Sequence, residues 1–164
     1  MIRRQLTLFL QQNSSEIVEK IREKFNPKQF ELIKAHVTLC REDEIQNLDQ
    51  ILINLASLKE KEITIRFEKP VRFDNGKGVY LKSDDTQAYD KLRQEILKMI
   101  TDVPRKQILH ITLMHPRNST CNDKIFEEIS NEKFPLYFTF NEISLIEQEN
   151  GGKWKLLRNF SLLN

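Results

Sequence analysis

Two short segments of the chain share one pattern, in which a histidine and a threonine alternate with apolar residues. Residues 35–39 read AHVTL and residues 109–113 read LHITL. The alternation predicts two β-strands, because successive side chains of a strand point to opposite faces of its sheet. Each strand would then place its apolar residues on a core face, with its imidazole and its hydroxyl side by side on the other face.

The chemistry that these side chains favour is in-line cleavage of a phosphodiester. His36 and Thr38 belong to the first segment, and His110 and Thr112 belong to the second. Such a reaction needs a base at the attacking oxygen and an acid at the leaving oxygen, on opposite sides of phosphorus. Imidazole suits both tasks because its ordinary pKa of about 6.5 lies near neutral pH. The two hydroxyls could donate hydrogen bonds to the phosphate oxygens that gain charge, so the scheme requires no metal ion.

Repetition is what makes this pattern informative, since a single His-x-Thr on a strand is an ordinary occurrence. The chain contains three histidines, and two of them lie in the paired motifs. A competing interpretation is a metal-dependent hydrolase that uses both histidines as ligands. It is weakened because no carboxylate stands at a matching spacing beside either motif.

Strand and helix patterns alternate along the rest of the chain. Period-two alternation and β-prone composition predict strands over residues 5–10, 34–40, 62–68, 78–82, 108–114, 134–147 and, after a hairpin turn, 153–157. Apolar spacing of three and four residues predicts helices near residues 17–25, 48–55, 89–100 and 121–132. Strand, helix and motif strand occur once in each half, which predicts an α+β fold with a weak internal duplication.

Composition limits the classes of function. The 164 residues fit one domain or two small lobes that share a core. A net charge of +2, from 26 basic and 24 acidic residues, argues against a protein that coats DNA but leaves room for a small basic cleft. No apolar run is long enough for a signal peptide or a membrane span, so a cytoplasmic protein is expected.

The two cysteines, Cys40 and Cys121, are expected to be reduced in that compartment. Together with the three histidines they match no zinc-binding pattern. Strand alternation predicts that Cys40 lies on the same face as His36. There it would border the site rather than act as a nucleophile, because no third group is present to complete a thiol site.

The paired motifs, His36-Val37-Thr38-Leu39 and His110-Ile111-Thr112-Leu113, resemble the hallmark of the 2H phosphoesterase superfamily. This superfamily includes 2′-5′ RNA ligase-like proteins and cyclic nucleotide phosphodiesterases. The likeness extends to EITIRFEKPVRF, to GVYLK and to ISLIEQENGGKWKLLRNFSL, and so covers nearly the whole chain. The resemblance implies a single bilobal α+β domain over residues 1–164. Two antiparallel-rich β-sheets with flanking helices would enclose a central cleft, and each lobe would contribute one His-x-Thr.

The resemblance also implies an activity: a metal-independent phosphodiesterase acting on 2′,3′-cyclic phosphate or 2′-5′ phosphodiester bonds of RNA or nucleotides. One of His36 and His110 would activate water or a ribose hydroxyl, and the other would protonate the leaving oxygen; which does which stays open. Two alternatives remain, a non-catalytic module that binds a nucleotide or RNA end, and 2′-5′ RNA ligase activity at the same site. No cofactor, membrane contact or obligate protein partner is expected, and the protein is expected to be a monomer.

Five further residues are candidates for substrate binding: Tyr80, Arg117, Phe9, His115 and Lys82. The resemblance implies a cleft-lining aromatic at Tyr80 and a phosphate-binding arginine after the second motif at Arg117. Core packing for Tyr80 and a solvated loop position for Arg117 are the alternatives. Phe9 and Lys82 fall on the predicted open faces of their strands, although a solvated lysine is the simpler interpretation of Lys82. His115 follows the second motif closely but lies outside any His-x-Thr pattern.

Overall fold

The computed structural model describes residues 1–73 and 75–164. Within these residues the strands are, in chain order, β1 (Ile2–Phe9), β2 (His36–Cys40), β3 (Ile63–Arg66), β4 (Pro70–Arg72), β5 (Val79–Ser83), β6 (Leu109–Met114), β7 (Tyr137–Phe140), β8 (Glu142–Glu149) and β9 (Lys155–Ser161). The helices are α1 (Gln12–Phe25), α2 (Pro27–Leu32), α3 (Leu48–Ala56), α4 (Gln87–Leu97) and α5 (Asp123–Ser130), and a single 3₁₀ turn covers Pro116–Asn118.

The strands pair in antiparallel fashion in three sheets of the described chain. One sheet has the order β2-β1-β8-β9, one has the order β4-β5-β6, and β3 pairs with β7. The strands that carry the paired motifs, β2 and β6, are edge strands of different sheets, and some of their Cα atoms lie within 8 Å of each other. The predicted fold class, α+β with antiparallel sheets, is confirmed, and the sheet edges bring the two motifs together.

Most predicted elements are present, and their ends differ from the prediction by a few residues. Two elements were not predicted. Helix α2 begins directly after α1, at Pro27, because proline suits the first position of a helix. Strand β4 is a three-residue strand that pairs with β5. The region over 134–147, predicted as one strand, divides into β7 and β8 at Asn141.

The apolar faces of the strands and helices form one continuous core. In β2 the histidine and threonine are half-buried while Val37 is buried, and β6 repeats the pattern with Ile111. The predicted division of each motif strand into a core face and an open face is therefore observed. Among the described residues, no helix is long and apolar enough to cross a membrane.

A β-bulge interrupts the alternation at the end of β2. Leu6 pairs with Cys40 and Thr7 pairs with Thr38, so Leu39 is an extra residue without a partner on β1. In a bulge the two residues opposite one partner share its face of the sheet. Leu39 and Cys40 are both fully buried, as is Leu6. The expectation that Cys40 borders the site is therefore wrong: its free thiol lies in the core.

The same bulge occurs at the end of β6. Val79 pairs with Met114 and Tyr80 pairs with Thr112, which leaves Leu113 as the extra residue. Leu113 and Met114 are fully buried. In both motif strands the alternation between the two faces therefore breaks at the same position, immediately after the threonine. The internal duplication predicted from the sequence extends to this irregularity.

Candidate active site

The two motif histidines are oriented in the same way by backbone carbonyls. Nδ1 of His36 lies 2.8 Å from the carbonyl oxygen of Lys34, and Nδ1 of His110 lies 2.7 Å from that of Ile108. A carbonyl can only accept a hydrogen bond, so Nδ1 carries the proton in both rings. The neutral imidazoles therefore present the lone pair of Nε2, which is the atom that can take up a proton.

The environment of His36 opposes protonation. Desolvation lowers the pKa of His36 from 6.5 to about 4, against the hydrogen bond from the ring to the Lys34 carbonyl, and the charges of Arg22, His110 and His115 lower it further. The ring is half-buried, and the protein atoms packed around it displace most of its hydration water. His36 is accordingly neutral near pH 7. The other two histidines of the chain, His110 and His115, lie close enough to influence its pKa.

The other two histidines show the same trend. Desolvation lowers the pKa of His110, and the charge of Arg41 lowers it further. Desolvation also lowers the pKa of His115, with additional contributions from Arg117 and His110. The charge of one arginine acts on each histidine: Arg22 on His36, Arg41 on His110 and Arg117 on His115. This arrangement disfavours an additional proton and favours a bound anion.

The motif threonines lie beside these rings with available hydroxyls. Thr38 and Thr112 are half-buried, and neither side chain has a hydrogen-bond partner among the described residues. Thr7, which is fully buried, lies opposite Thr38, and Tyr80 lies opposite Thr112, so each partner is on the same face of its sheet as the motif threonine. The two hydroxyls can therefore donate hydrogen bonds to a group that enters between the strands.

Aromatic rings flank both histidines. Phe9 meets the ring of His36 edge to face, with 6.1 Å between centroids, and Tyr80 meets that of His110 with 5.5 Å between centroids. The structure thus places these two predicted substrate-binding residues beside the motif histidines. Tyr80 is half-buried on the open face of β5, and its role as a cleft-lining residue stays a prediction.

Phe73 is a further aromatic neighbour that the sequence did not single out. Its ring lies 4.2 Å from that of Tyr80 and 5.9 Å from that of His110. Gly78 gives it room, since a Cβ atom there would lie 2.0 Å from Phe73 Cδ2 and 2.6 Å from Pro116 Cγ. The sequence feature that could have indicated this contact is Gly78, the glycine directly before β5.

The remaining predicted binding residues occupy different surroundings. Lys82 lies directly opposite His110 in the β5–β6 pair, but its ammonium group forms an exposed ion pair with Asp84 at 3.0 Å. Arg117 is exposed, and its backbone N–H donates to Nδ1 of His115 at 3.1 Å. Across residues 1–73 and 75–164, no three histidine, cysteine or acidic side chains form a group that could hold a metal ion.

Comparison with known proteins identifies the family of this fold and site. The family model of the 2′-5′ RNA ligase superfamily matches residues 10–152. The chain belongs to the 2′-5′ RNA ligase superfamily. The family expected from the paired motifs is thereby confirmed. No curated protein matches the chain significantly.

Solved structures of similar fold agree with the superfamily assignment. E. coli LigT in apo form superposes with a TM-score of 0.71 at 15% identity, covering 100% of this chain and 99% of that protein. A structure described as a phosphoesterase has a TM-score of 0.69 at 13% identity and covers both chains completely (100% of each). The protein TT0787 of Thermus thermophilus has a TM-score of 0.61 at 15% identity, with 98% and 97% coverage. At these identities the likeness concerns the fold.

In this member of the superfamily, a buried asparagine positions the third histidine. Asn26, which is 1% exposed, accepts a hydrogen bond from the backbone N–H of His115 at 2.9 Å and donates to the carbonyl of Asn118 at 3.1 Å. These bonds tie the segment after β6 to the junction of α1 and α2. They explain how His115, which lies outside the motifs, comes to influence His36.

Side chains from α4 and from the segment before β6 hold the exposed edge of β2. The hydroxyl of Tyr89 donates to the carbonyl of Thr38 at 2.8 Å. The side-chain amide of Gln107 donates to Tyr89 Oη at 2.7 Å and to the carbonyl of Leu39 at 2.9 Å. The bulge leaves the Leu39 carbonyl without a partner on β1, and a buried carbonyl needs one. Gln107 thus connects the first motif to the strand of His110.

A buried ion pair reinforces the same connection. The guanidinium of Arg93 donates to the carbonyl of Leu39, to a carboxylate oxygen of Glu44 at 2.6 Å and to the carbonyl of Arg105 at 3.0 Å. The side chains of Arg93 and Glu44 are 2% and 10% exposed. Sequence inspection missed Tyr89, Arg93 and Gln107 because nothing local distinguishes them from ordinary helix and loop residues.

Proposed function

We propose that this protein is a metal-independent phosphodiesterase that cleaves 2′,3′-cyclic phosphate or 2′-5′ phosphodiester bonds of RNA or nucleotides. One observation carries the proposal: His36 and His110 lie on adjoining sheet edges, each with Nδ1 held by a carbonyl, Nε2 available and the charge of an arginine acting on the ring. That arrangement suits an anionic phosphodiester flanked by two proton-transfer groups.

The proposed reaction uses both rings. Nε2 of one histidine accepts a proton from water as the water oxygen forms a bond to phosphorus. The bond from phosphorus to the leaving ribose oxygen breaks, and the other histidine, protonated in the complex, gives its Nε2 proton to that oxygen. The anionic substrate favours this protonation because a nearby negative charge raises the pKa of an imidazole. The hydroxyls of Thr38 and Thr112 donate to the non-bridging oxygens as their charge grows.

The substrate-binding roles are part of the same proposal. Tyr80 and Phe9 would contact the nucleoside beside each histidine, and His115 and Arg117 would contact the phosphate. Lys82 would reach the phosphate only by exchanging its ion pair with Asp84. Structures of E. coli LigT with phosphate, with 3′-AMP and with NADP+ support a nucleotide as ligand of this fold. We include in the proposal a single bilobal domain over residues 1–164 that acts as a cytoplasmic monomer.

The test is a turnover screen with matched variants. Purified protein is incubated with 2′,3′-cyclic nucleotides, ADP-ribose 1″,2″-cyclic phosphate and 2′-5′-linked oligonucleotides, with and without EDTA. We expect hydrolysis that survives EDTA, and a fall in kcat of roughly a hundred-fold or more for His36→Ala and for His110→Ala. The double variant should lose little more than either single variant, because the two rings act on one transition state.

Three results would contradict the proposal. Unchanged hydrolysis in either histidine variant would remove the acid-base roles. Nucleotide binding by the wild type without turnover of any diester would identify a binding module. Joining of RNA ends carrying a 2′,3′-cyclic phosphate and a 5′-hydroxyl, without hydrolysis, would identify a ligase.

A further inference from the structure

A groove of about 940 Å³ opens on the four-stranded sheet at the end of β1. We call it the Trp154 groove. Its walls include residues from β1, α1, α2, β8 and β9, and those used below are Phe9, Phe30, Ser144, Trp154, Leu156 and Asn159. None of the four motif residues lines it. It is therefore a separate surface from the space between the two histidines.

Phe9 joins the groove to the candidate active site. It lines the groove, it lies opposite His36 in the β1–β2 pair, and its ring contacts the His36 ring edge to face at 6.1 Å between centroids. The groove thus begins one side chain away from His36.

The lining suits a nucleoside. Trp154, Phe30 and Phe9 offer aromatic surface for a base. Trp154 is held by its backbone N–H, which donates to the carbonyl of Leu32 at 2.9 Å, and by Arg3, whose guanidinium carbon lies 5.6 Å from the ring centroid. Such support keeps the indole in place without a ligand.

Polar atoms on the groove add hydrogen-bonding capacity. The hydroxyl of Ser144 donates to Oδ1 of Asn159 at 2.8 Å, which fixes the orientation of that amide and leaves its N–H groups exposed. Exposed amide N–H groups can pair with the acceptor atoms of a base or a ribose.

The charged residues that line the groove favour a nucleoside over a chain of several phosphates as its ligand. The groove is lined by two lysines, Lys34 and Lys153, and by the carboxylates of Glu19, Glu31 and Glu142. A track for several phosphates would need a basic excess. This lining, which has one more carboxylate than lysines, fits one base and one ribose.

We propose that the Trp154 groove binds the nucleoside attached to the reacting phosphate on its His36 side. This inference rests on the proposed function, because that function places the phosphate between His36 and His110. Leu156 is 56% exposed in the groove, and a bound base would cover it. The substrate class that follows is a diester with a nucleoside on this side.

The test uses Trp154 itself as the reporter, because it is the only tryptophan of the chain. A 2′-5′-linked diadenosine monophosphate is titrated into the His110→Ala variant, which is chosen to prevent turnover and retains His36. We expect a saturable change in tryptophan fluorescence. Inorganic phosphate, which has no base, should leave the fluorescence unchanged.

Two adjacent leucines supply matched variants in that background. Leu156 lines the groove, whereas Leu157, which is 46% exposed, follows it on β9 and does not line the groove. We expect Leu156→Glu to raise the Kd for the dinucleotide at least about ten-fold, through lost apolar contact and added charge. Leu157→Glu, which adds the same charge outside the groove, should change the Kd less than about two-fold.

Equal Kd values for the two glutamate variants, or no fluorescence change with a dinucleotide that the wild type hydrolyses, would overturn the inference. Sedimentation showing a wild-type dimer that Leu156→Glu dissociates would also overturn it, since a second copy would then occupy the groove. A saturable signal that Leu156→Glu weakens would uphold the groove even where the wild type cleaves no diester. The experiment can therefore contradict the ligand assigned to the groove and the proposed function separately.

Discussion

Acid should destabilise this protein through His36. Its pKa falls from 6.5 to about 4 in the folded protein, mainly because of desolvation. The lowering of the pKa by roughly 2.5, at about 1.4 kcal/mol per pKa unit, opposes protonation of the folded state by about 3.5 kcal/mol at most. The half-buried ring retains some contact with water, which screens part of this energy, so we expect about 2 kcal/mol.

The direction of the pH effect on stability follows from the number of protons that each state binds. The unfolded chain takes up a proton on His36 near pH 6.5, and the folded protein does so only near pH 4, so the unfolded state binds more protons between these values. The stabilising contribution is complete above about pH 6.5 and is lost as the pH falls towards 4. His110 and His115, whose pKa values are also lowered by desolvation, act in the same direction.

Urea unfolding of the wild type and of His36→Asn, at several values between about pH 4.5 and pH 7.5, measures this contribution. Asparagine keeps a polar side chain of similar reach but does not titrate, and the carboxylates titrate alike in both proteins. We expect the wild type to lose about 2 kcal/mol more free energy of unfolding than the variant over this range. Parallel curves for the two proteins would refute the reasoning.

Three substitutions test the groups that hold the motifs. Tyr89→Phe removes hydrogen bonds to Thr38 and Gln107 and should lower the free energy of unfolding in urea by about 1–2 kcal/mol. It should also lower kcat and leave KM unchanged. An unchanged kcat would argue against a positioning role. Arg93→Met removes the closest charged partner of the buried Glu44 carboxylate, which keeps Arg105 at 3.6 Å, and should cost about 3 kcal/mol in the same assay. Gly78→Ala would place Cβ 2.0 Å from Phe73 Cδ2, so it should displace that ring and reduce turnover in the cyclic-nucleotide assay; wild-type turnover would contradict this.

Much of the candidate site could be predicted from the sequence, because strand alternation is a local property. The pattern over 35–39 and 109–113 predicted that histidine and threonine share an open face. The structure shows these residues half-buried and Val37 and Ile111 fully buried. The α+β class and most elements followed from the same kind of periodicity. The open faces of Phe9 and Tyr80 also followed from alternation, whereas the pairing of their strands with the motif strands, which sets them beside the histidines, came from the structure.

Other features depend on contacts between distant residues, and only the tertiary structure decided them. The bulges at Leu39 and Leu113 arise from pairing with β1 and β5, and the first of them moved Cys40 from its predicted face into the core. Gln107 reaches the Leu39 carbonyl across 68 positions of the chain, and Asn26 reaches His115 across 89.

No local pattern distinguishes such partners, since an unpaired carbonyl is satisfied by whichever donor the packing brings within reach. The sequence by itself determined which side chains form the candidate site and the faces on which they lie. The packing of two sheet edges decided that the motif strands lie side by side, that an arginine acts on each motif histidine and that a groove opens near one of them. These depend on strand order and long-range contacts, which the periodicity of a single strand does not specify.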